Sequence, residues 1–405
     1  MSLITETHKY QRKELALKSL LEITQAINEN QSEAVLLNIY KFTCLVHLNI
    51  KSLILYVAKE GAFEHKISHG VKGNVPQLIP ASQIADEKST GELRLELEEE
   101  YSFRELETYL PVYHKDKMLA VLFLRRKDES LDLDLDFTQA LTNILVVALE
   151  NKRFARKQLA QEVLNREIAI ASQVQQMLFP AELPVEDGLK AKVTYLPHSM
   201  VGGDYYDLIR KSDDEVYFCI ADVSGKGISA ALLMSNFQAA LRTLLRSDAD
   251  LSMVVTQLNY TLFENTHGER FITFFLGHYN KKTQELYYVN AGHNAPLLCR
   301  AELAQCETLD AGTTILGAFD ELPFLEVGKR SNLKEFCIHL YTDGVTEAMN
   351  PNQEEYGEER LQKFVNKNMK LDPDDFHRKF LKKIQEFSKD VPLRDDLTML
   401  SLRFK

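Results

Sequence analysis

A stretch without proline or glycine, from Asp136 to Leu178, divides the sequence into two parts. A continuous helix over this stretch would extend about 60 Å at 1.5 Å per residue, which is more than a compact domain requires. Pro180 disfavours the helical conformation at Phe179 and is expected to end the helix. The sequence therefore predicts two globular parts joined by a long helix, and its 405 residues allow each part an ordinary core.

The predicted helix carries an apolar stripe whose members recur at three-, four- and seven-residue steps. They are Leu159, Val163, Ile170, Val174 and Met177. Such a stripe suits a parallel coiled coil between two subunits, so we expect a homodimer formed through this linker helix. The alternative is that the stripe packs on a neighbouring domain, because Lys152, Arg156 and Arg166 interrupt a strict heptad.

The composition and charge exclude several classes of protein. Apolar residues make up 45% of the chain and charged residues 26%, which is typical of a globular protein. The net charge of −11 argues against a general nucleic-acid binder and is compatible with the recruitment of divalent cations. The start of the chain is polar, and no run approaches the roughly 18 consecutive apolar residues of a membrane span. We expect no membrane association and a cytoplasmic location.

The five cysteines are scattered, odd in number and without a CxxC pair that could hold zinc. This pattern favours a reducing compartment, in agreement with the cytoplasmic expectation.

Before the long helix, the order of patterns is helix, several strands and helix, which predicts one α+β domain over residues 1–152. Residues 153–182 form the predicted helical, coiled-coil linker. From residue 183 to 405, strand-like stretches such as "EVYFCIADVS" and "KEFCIHLYTDG" alternate with helical ones, which favours an α/β sandwich of largely antiparallel strands.

Acidic residues recur in this last part at points where an apolar strand meets a turn. They are Asp204, Asp222, Asp343 and Asp395. Any one of them could simply cap a turn, as aspartate commonly does. If the order of strands in the sheets brings all four together, however, their like charges are unfavourable unless protons or cations neutralise them.

Oxygen ligands without a nearby Cys or His set favour Mg²⁺ or Mn²⁺ over zinc. Two such ions a few ångströms apart can share a water, lower its pKa and hold a phosphoryl group for in-line attack. This chemistry is the hydrolysis of a phosphate ester. The glycines next to Asp204 would let the backbone approach the ions closely.

Five stretches in order then resemble the motif set of metal-dependent PPM-class protein phosphatases, in the bacterial branch typified by SpoIIE and RsbU. They are "VGGDYYDLI", "ADVSGKGISAALLMS", "NAGHNAPLL", "LYTDGVTEAMN" and "RDDLTMLSL". The resemblance covers residues 183–405. It implies an α/β/β/α sandwich, with a pair of Mn²⁺ or Mg²⁺ ions at one edge.

By this resemblance, Asp222 would bridge both ions and the main-chain carbonyl of Val223 would bind one of them. Asp343 and Asp395 would complete the second ion, and Asp204 would act close by, directly or through water. Asp204 and Asp222 are thus the expected catalytic residues, with Asp207 and Asp396 supporting the ligands. Where eukaryotic relatives have Gly-His after the bridging aspartate, this chain has Val223-Ser224, so the general acid is unassigned and water on a metal is the default proton donor.

Other motifs have simpler interpretations. "SGKGIS" lacks the spacing of a P-loop, and its glycines predict a turn into a helix, where Lys226 is either solvated or attracts phosphate. His293 in "NAGHN" is either a general acid or a hydrogen-bonded structural residue, and we favour the second. Tyr205 and Tyr206 are expected to pack beneath the site.

The first part of the chain resembles a GAF sensor domain in its order of elements. Together the resemblances imply a regulated phosphatase whose substrate is a phosphoserine or phosphothreonine on a partner, such as an anti-sigma-factor antagonist of the STAS type. The main alternative is a non-catalytic sensor or scaffold with a phosphatase-like domain. A phosphatase acting on a small phosphorylated metabolite is a third possibility.

Overall fold

The computed structural model describes residues 2–84, 91–92, 103, 106–128, 133–180, 183, 188–247, 249–300 and 305–405. The chain forms two compact units, Met1–Glu162 and Val163–Lys405. The division falls within the long helix, ten residues beyond the predicted end of the first domain at residue 152.

The described residues of the first unit form helices α1 and α2, followed by six strands and the beginning of α3. The helices are α1 Ser2–Asn28, α2 Glu33–His47 and α3 Leu135–Gln176. The strands are β1 Ile50–Lys59, β2 Ala62–His69, β3 Leu78–Pro80, β4 Gly91–Glu92, β5 Thr108–His114 and β6 Lys117–Arg126, with a 3₁₀ turn at Ala81–Gln83. They form one antiparallel sheet in the order β3-β2-β1-β6-β5-β4.

Both faces of this sheet are apolar, because alternate residues of its central strands enter different cores. In β1, Leu53 and Leu55 pack with the helices, whereas Ile54 and Tyr56 join an aromatic cluster on the opposite face. This two-sided burial explains why β1 reads as a continuous apolar run. The assignment of the unit to the GAF class remains a prediction.

Helix α3 has the length expected from the stretch without proline or glycine. Every member of its apolar stripe is more than half exposed, from 53% for Val163 to 79% for Met177. The side chains of the stripe are therefore available to a partner, which is the condition that a dimer through this helix requires.

In the part of the second unit that the structure describes, there are eleven strands and five further helices. The strands are β7 Leu189–Leu196, β8 Tyr205–Arg210, β9 Glu215–Val223, β10 Ile272–Asn280, β11 Glu285–Ala291, β12 Leu297–Arg300, β13 Glu307–Thr308, β14 Gly312–Thr313, β15 Gly328–Arg330, β16 Phe336–Tyr341 and β17 Leu397–Phe404. The helices are α4 Ile228–Leu245, α5 Leu251–Thr266, α6 Asp343–Thr346, α7 Gly357–Asn368 and α8 Pro373–Ser388.

Two sheets form the centre of this unit. The first has the order β14-β11-β10-β9-β8, with β15 also paired to β11, and the second has the order β13-β12-β16-β17-β7. All of these pairings are antiparallel except that of β11 with β14.

The layers follow from alternation along the strands. In β9, Phe218 and Ile220 face the second sheet, whereas Cys219 and Ala221 face a core shared with α4 and α5. The second sheet behaves in the same way, with its outer face packed against α7 and α8. The result is the expected α/β/β/α sandwich.

N-terminal caps mark the start of two of the helices that cover these sheets, α5 and α8. The side chain of Asp250 accepts a hydrogen bond from the Met253 amide at 2.8 Å and caps α5. Asp372 caps α8, and Pro373 occupies its first turn.

In the described part of the chain, α4 alone is long and apolar enough to span a membrane, but its inward side chains belong to the core, so this is weak evidence for a span.

The cysteines depart from the expectation of scattered, unpaired thiols. Cys299 and Cys306 form a disulfide, whereas Cys44, Cys219 and Cys337 are buried thiols. Sequence spacing could not identify the pair, because no motif marks it and the contact depends on the pairing of β12 with β13.

Candidate active site

The four acidic residues come from two pairs of neighbouring strands. Asp204 immediately precedes β8 and Asp222 lies one residue before the end of β9, in the first sheet. Asp343 follows β16 and begins the single turn of α6, and Asp395 lies shortly before β17, in the second sheet. The order of strands thus brings the residues together in pairs, and the sandwich places the two pairs at one edge.

Asp204 links the two sheets. Its carboxylate is almost completely buried and accepts hydrogen bonds from the hydroxyl groups of Thr342, at 2.9 Å, and Thr398. Burial and the neighbouring Asp222 carboxylate raise the pKa of Asp204 well above its ordinary value. Sequence reasoning missed the two threonines, although each lies next to or near a predicted ligand, in "YTDG" and "DDLT".

Asp222 is a predicted ligand whose pKa is raised by burial and by carboxylates of the other sheet. Burial raises its pKa to about 7, and the Asp343 and Asp395 carboxylates act in the same direction. The pKa of Asp343 is also raised, first by burial and then by Asp395. These residues therefore interact across the two sheets, and their negative charge is incompletely compensated by the protein.

One cation of the protein lies beside this group. The Lys226 ammonium is 2.9 Å from the Asp395 carboxylate and donates to the Arg394 carbonyl at 2.7 Å. Its side chain is more than half exposed, so this pair alone contributes little stability. Lys226 is thus placed at the edge of the acidic group, on the loop that leads to α4.

The two glycines of "VGGDYYDLI" are required by close contacts. A Cβ atom on Gly202 would lie 2.2 Å from the Asp396 carboxylate, and one on Gly203 would lie 2.9 Å from the Val223 carbonyl and 3.3 Å from the Asp222 carboxylate. Any larger residue would therefore push this loop away from the Asp222 strand.

Asp396 holds the same loop in place. Its carboxylate accepts hydrogen bonds from the main-chain amides of His198, at 2.7 Å, and Gly203, at 2.8 Å. It thus supports Asp204 from behind, as the sequence suggested. Gln175, near the end of α3, holds the other side: its buried amide donates to the Gly202 carbonyl at 2.7 Å and accepts from the Gly202 amide at 3.3 Å.

Asp207 has a different role from the supporting one expected near the metal ligands. It is buried beneath α4, where Arg242 binds it with two hydrogen bonds of 2.8 and 3.0 Å and the Tyr205 hydroxyl donates to it at 2.5 Å. Because side chains alternate along β8, Asp207 points to the helix side of the sheet. Tyr205 and Tyr206 are buried, as expected of residues that pack beneath the site.

His293 is enclosed. Its Nδ1 lies 2.8 Å from the Thr273 hydroxyl, and Thr273 pairs with Asp222 across β9 and β10. Burial lowers the pKa of His293 to about 4, so the imidazole is neutral at pH 7. These contacts agree with a structural residue rather than with a proton donor to an exposed substrate.

The predicted donor set would suit hard divalent cations, since each of its side-chain ligands would be a carboxylate and the added ligand would be the Val223 carbonyl. The raised pKa values of Asp204, Asp222 and Asp343 are what a site designed for added positive charge would show. Within the described residues, no three His, Cys, Asp or Glu side chains are gathered closely enough to form a finished metal site. The carboxylates of Asp222, Asp343 and Asp395 are electrostatic neighbours at this edge of the sandwich.

Comparisons with known proteins agree with this arrangement. Residues 212–405 match the family described as Stage II sporulation protein E (SpoIIE). The chain is 30% identical over 248 residues to phosphoserine phosphatase RsbU of Bacillus subtilis (strain 168), a match that covers 60% of this chain and 72% of RsbU. It is 27% identical over 241 residues to protein IcfG of Synechocystis sp., covering 52% of this chain and 38% of IcfG.

Among solved structures, the SiaA-PP2C domain of Pseudomonas aeruginosa aligns with a TM-score of 0.54 and 19% identity, covering 61% of this chain and 99% of that domain. This likeness supports the fold alone. The chain spans less than two thirds of IcfG but more than two thirds of RsbU. Its similarity to RsbU, its SpoIIE match and its PP2C-like fold show that the chain belongs to the SpoIIE/RsbU family of PP2C-type, metal-dependent serine/threonine protein phosphatases.

Proposed function

We propose that the unit containing residues 183–405 hydrolyses phosphoserine or phosphothreonine on a protein partner, with two Mn²⁺ or Mg²⁺ ions. Asp204, Asp222, the Val223 carbonyl, Asp343 and Asp395 would hold the ions. The observation that carries this proposal is the raised pKa of Asp222, which burial and the carboxylates of the other sheet bring to about 7.

When bound, the ions would activate water and stabilise the charge of the transferring phosphoryl group. The residues of the chain orient the site around them. Thr342 and Thr398 fix the Asp204 carboxylate, and Asp396 fixes the main chain beside it. Lys226 supplies a positive charge at the rim, where it can attract a phosphorylated side chain.

The experiment compares Asp222→Asn and Asp343→Asn with the wild type in Mn²⁺-dependent hydrolysis of p-nitrophenyl phosphate and of a phosphoserine peptide. We expect each variant to lose on the order of 100-fold or more in rate, because a carboxylate ligand is removed. Asp213→Asn is the matched control, since the Asp213 side chain is 94% exposed and lies outside the site.

Metal binding is measured separately by thermal unfolding. Mn²⁺ at 100 times its dissociation constant should stabilise the wild type by about 2.7 kcal/mol, and Asp222→Asn should remove most of this gain. A wild type without Mn²⁺-dependent turnover would favour the non-catalytic scaffold. Turnover of p-nitrophenyl phosphate but of no phosphoprotein would favour a metabolite phosphatase.

We propose further that the first unit is a GAF-like sensor, that the linker helix forms a homodimer, and that the helix regulates the site. The sensor would comprise residues 1–152, the linker helix residues 153–182 and the phosphatase domain residues 183–405. Gln175 supports this regulation, because it joins α3 to Gly202, two residues from Asp204. A shift of the helix would move the Asp204 loop, and a difference of a few kcal/mol between two helix poses would suffice.

Gln175→Leu removes both hydrogen bonds to Gly202 and should change the basal rate or the Mn²⁺ concentration that half-saturates it. Gln176→Leu is the control, because Gln176 is the exposed neighbour on the same helix. Equal rates and equal Mn²⁺ dependence in the two variants and the wild type would refute regulation through this contact.

The proposed substrate is a phosphorylated STAS-type antagonist of an anti-sigma factor, and the proposed location is the cytoplasm. The family supports a phosphoserine substrate, because the matched relatives RsbU and RsbP of Bacillus subtilis are named phosphoserine phosphatases. A pull-down with Asp343→Asn, which retains most of the site, should capture the phosphorylated partner but not its dephosphorylated form.

A further inference from the structure

Three of the five cysteines lie together at the second sheet: Cys299 and Cys337 on neighbouring strands, and Cys306 immediately before β13. Cys299 on β12 and Cys337 on β16 are direct partners in the antiparallel register, and Cys299 is also bonded to Cys306 seven residues later. Directly opposed residues of antiparallel strands have Cβ atoms about 4.5–5.5 Å apart, whereas a disulfide holds its Cβ atoms about 3.5–4.5 Å apart. Cys299 can therefore be linked to Cys337 instead of Cys306 if the two strands approach each other by about 1 Å.

A small surface pocket borders two of these cysteines, each of which is only 3% exposed. Its volume is about 130 Å³, and Cys299 and Cys337 both line it. It is also lined by four cationic side chains and one carboxylate: Arg300, Lys370, Arg403, Lys405 and Glu335. Glu307 pairs with Arg300 at 2.6 Å, so the excess of positive charge comes from Lys370, Arg403 and Lys405, and it favours small anionic ligands.

Two donors in this pocket are available to such a ligand. The Nε atoms of Arg300 and Arg403 are buried and make no hydrogen bond within the described part of the protein. A buried donor without a partner is costly, and a carboxylate entering the pocket would satisfy it.

The surroundings of Cys337 set its reactivity. Burial raises the pKa of its thiol to about 12, while the Arg403 guanidinium acts in the opposite direction. Its sulfur is 3.5 Å from Nε2 of His339. Cys337 is thus held as a thiol beside a disulfide, with a cation that favours its thiolate when it reacts.

We propose that Cys299, Cys306 and Cys337 form a thiol–disulfide exchange site, which small anionic thiols enter through the cationic pocket. The thiolate of the small thiol attacks Sγ of Cys299, and a mixed disulfide forms there. The bond to Cys306 breaks, and Cys306 leaves as a thiolate that takes up a proton.

Cys337 then loses its proton to water and attacks Cys299, so that the cross-strand disulfide Cys299–Cys337 forms and the small thiol is released as its thiolate. No external oxidant is needed, because one disulfide is exchanged for another. The site is independent of the proposed phosphatase chemistry.

The first test treats the full chain with reduced glutathione, traps free thiols with N-ethylmaleimide at successive times and maps the products by mass spectrometry. We expect glutathione on Cys299 with Cys306 free, followed by the Cys299–Cys337 disulfide. In Cys337→Ser the mixed disulfide should accumulate at least several-fold. In Cys306→Ser, treated with oxidised glutathione, Cys299 should pair with Cys337, which keeps the test valid if the first variant folds poorly.

The second test compares the rates of reaction with glutathione, which is anionic, and 2-mercaptoethanol, which is neutral. Arg300→Gln and Lys370→Gln should each lower the glutathione rate about threefold at low ionic strength and leave the 2-mercaptoethanol rate unchanged. Lys379→Gln, on the exposed side of α8, is the control of equal charge.

Three results would each overturn the proposal. The first is initial modification of Cys306 instead of Cys299. The second is a Cys337 that never pairs with Cys299 in the wild type and in Cys306→Ser. The third is a ratio of the glutathione rate to the 2-mercaptoethanol rate that Arg300→Gln and Lys370→Gln change no more than Lys379→Gln does.

Discussion

The ion pair between the buried Asp207 carboxylate and Arg242, whose side chain is 39% exposed, allows a stability prediction whose size follows from the structure. Arg242 reaches from α4 and binds both oxygens of an Asp207 carboxylate whose side chain has no exposed surface. Arg242→Met keeps most of the volume of the side chain but leaves that carboxylate buried without a countercharge. Removing one partner of a buried pair costs about 3–5 kcal/mol.

The Tyr205 hydroxyl still donates to Asp207 in the variant, so we expect the lower end of this range, about 3 kcal/mol. With a urea dependence of about 2 kcal/mol/M, the unfolding midpoint should fall by about 1.5 M. The chain has no tryptophan, so unfolding is best followed by circular dichroism. Since the chain forms two units, the shift should appear in the transition of the second.

The control is Arg378→Met, which breaks an ion pair with Asp375 between two largely exposed side chains and should cost about 0–1 kcal/mol. The double variant Asp207→Asn/Arg242→Met should be more stable than Arg242→Met, because no unpaired charge remains. Equal midpoints for Arg242→Met and Arg378→Met would refute the reasoning.

Three further predictions concern the site, pH and assembly. Gly203→Ala would place a methyl group 2.9 Å from the Val223 carbonyl. We therefore expect Mn²⁺-dependent turnover to fall at least tenfold and the free energy of unfolding to fall by about 1–3 kcal/mol. Wild-type kinetics in this variant would contradict the prediction. Burial lowers the pKa of His377 from 6.5 to about 4 in the folded protein. As the pH falls, the histidine is therefore protonated in the unfolded chain before it is protonated in the folded one. Up to about 3 kcal/mol of the free energy of unfolding should be lost between pH 6.5 and pH 4. His377→Gln should flatten this part of the curve of melting temperature against pH, and an unchanged slope would disprove the assignment. The double variant Val163→Lys/Ile170→Lys should convert a dimer into a monomer in sedimentation experiments, since both side chains are more than half exposed on α3. A wild-type chain that is already monomeric would refute the proposed coiled coil.

The sequence predicted those features that depend on local signals. The long helix follows from the absence of helix breakers, and strands such as β9 and β16 follow from their apolar runs. The four aspartates were found because each interrupts such a pattern, and their convergence follows once β8 pairs with β9 and β16 with β17.

The features that the sequence did not reveal depend on contacts between remote residues. Asp207 shares its motif with Asp204, but the direction of its side chain on β8 carries it to Arg242 instead of the acidic group. Thr342, Thr398 and Gln175 are ordinary residues in their local sequence, and only the packed structure gives them their roles.

The hydrogen bonds of Asp204 join residues that are far apart in the chain, since its carboxylate is 194 positions from Thr398. A growing polypeptide therefore cannot orient this carboxylate until Thr398 has left the ribosome. Fragments that stop earlier would contain nearly every helix of the second unit and still lack the contact that orients Asp204.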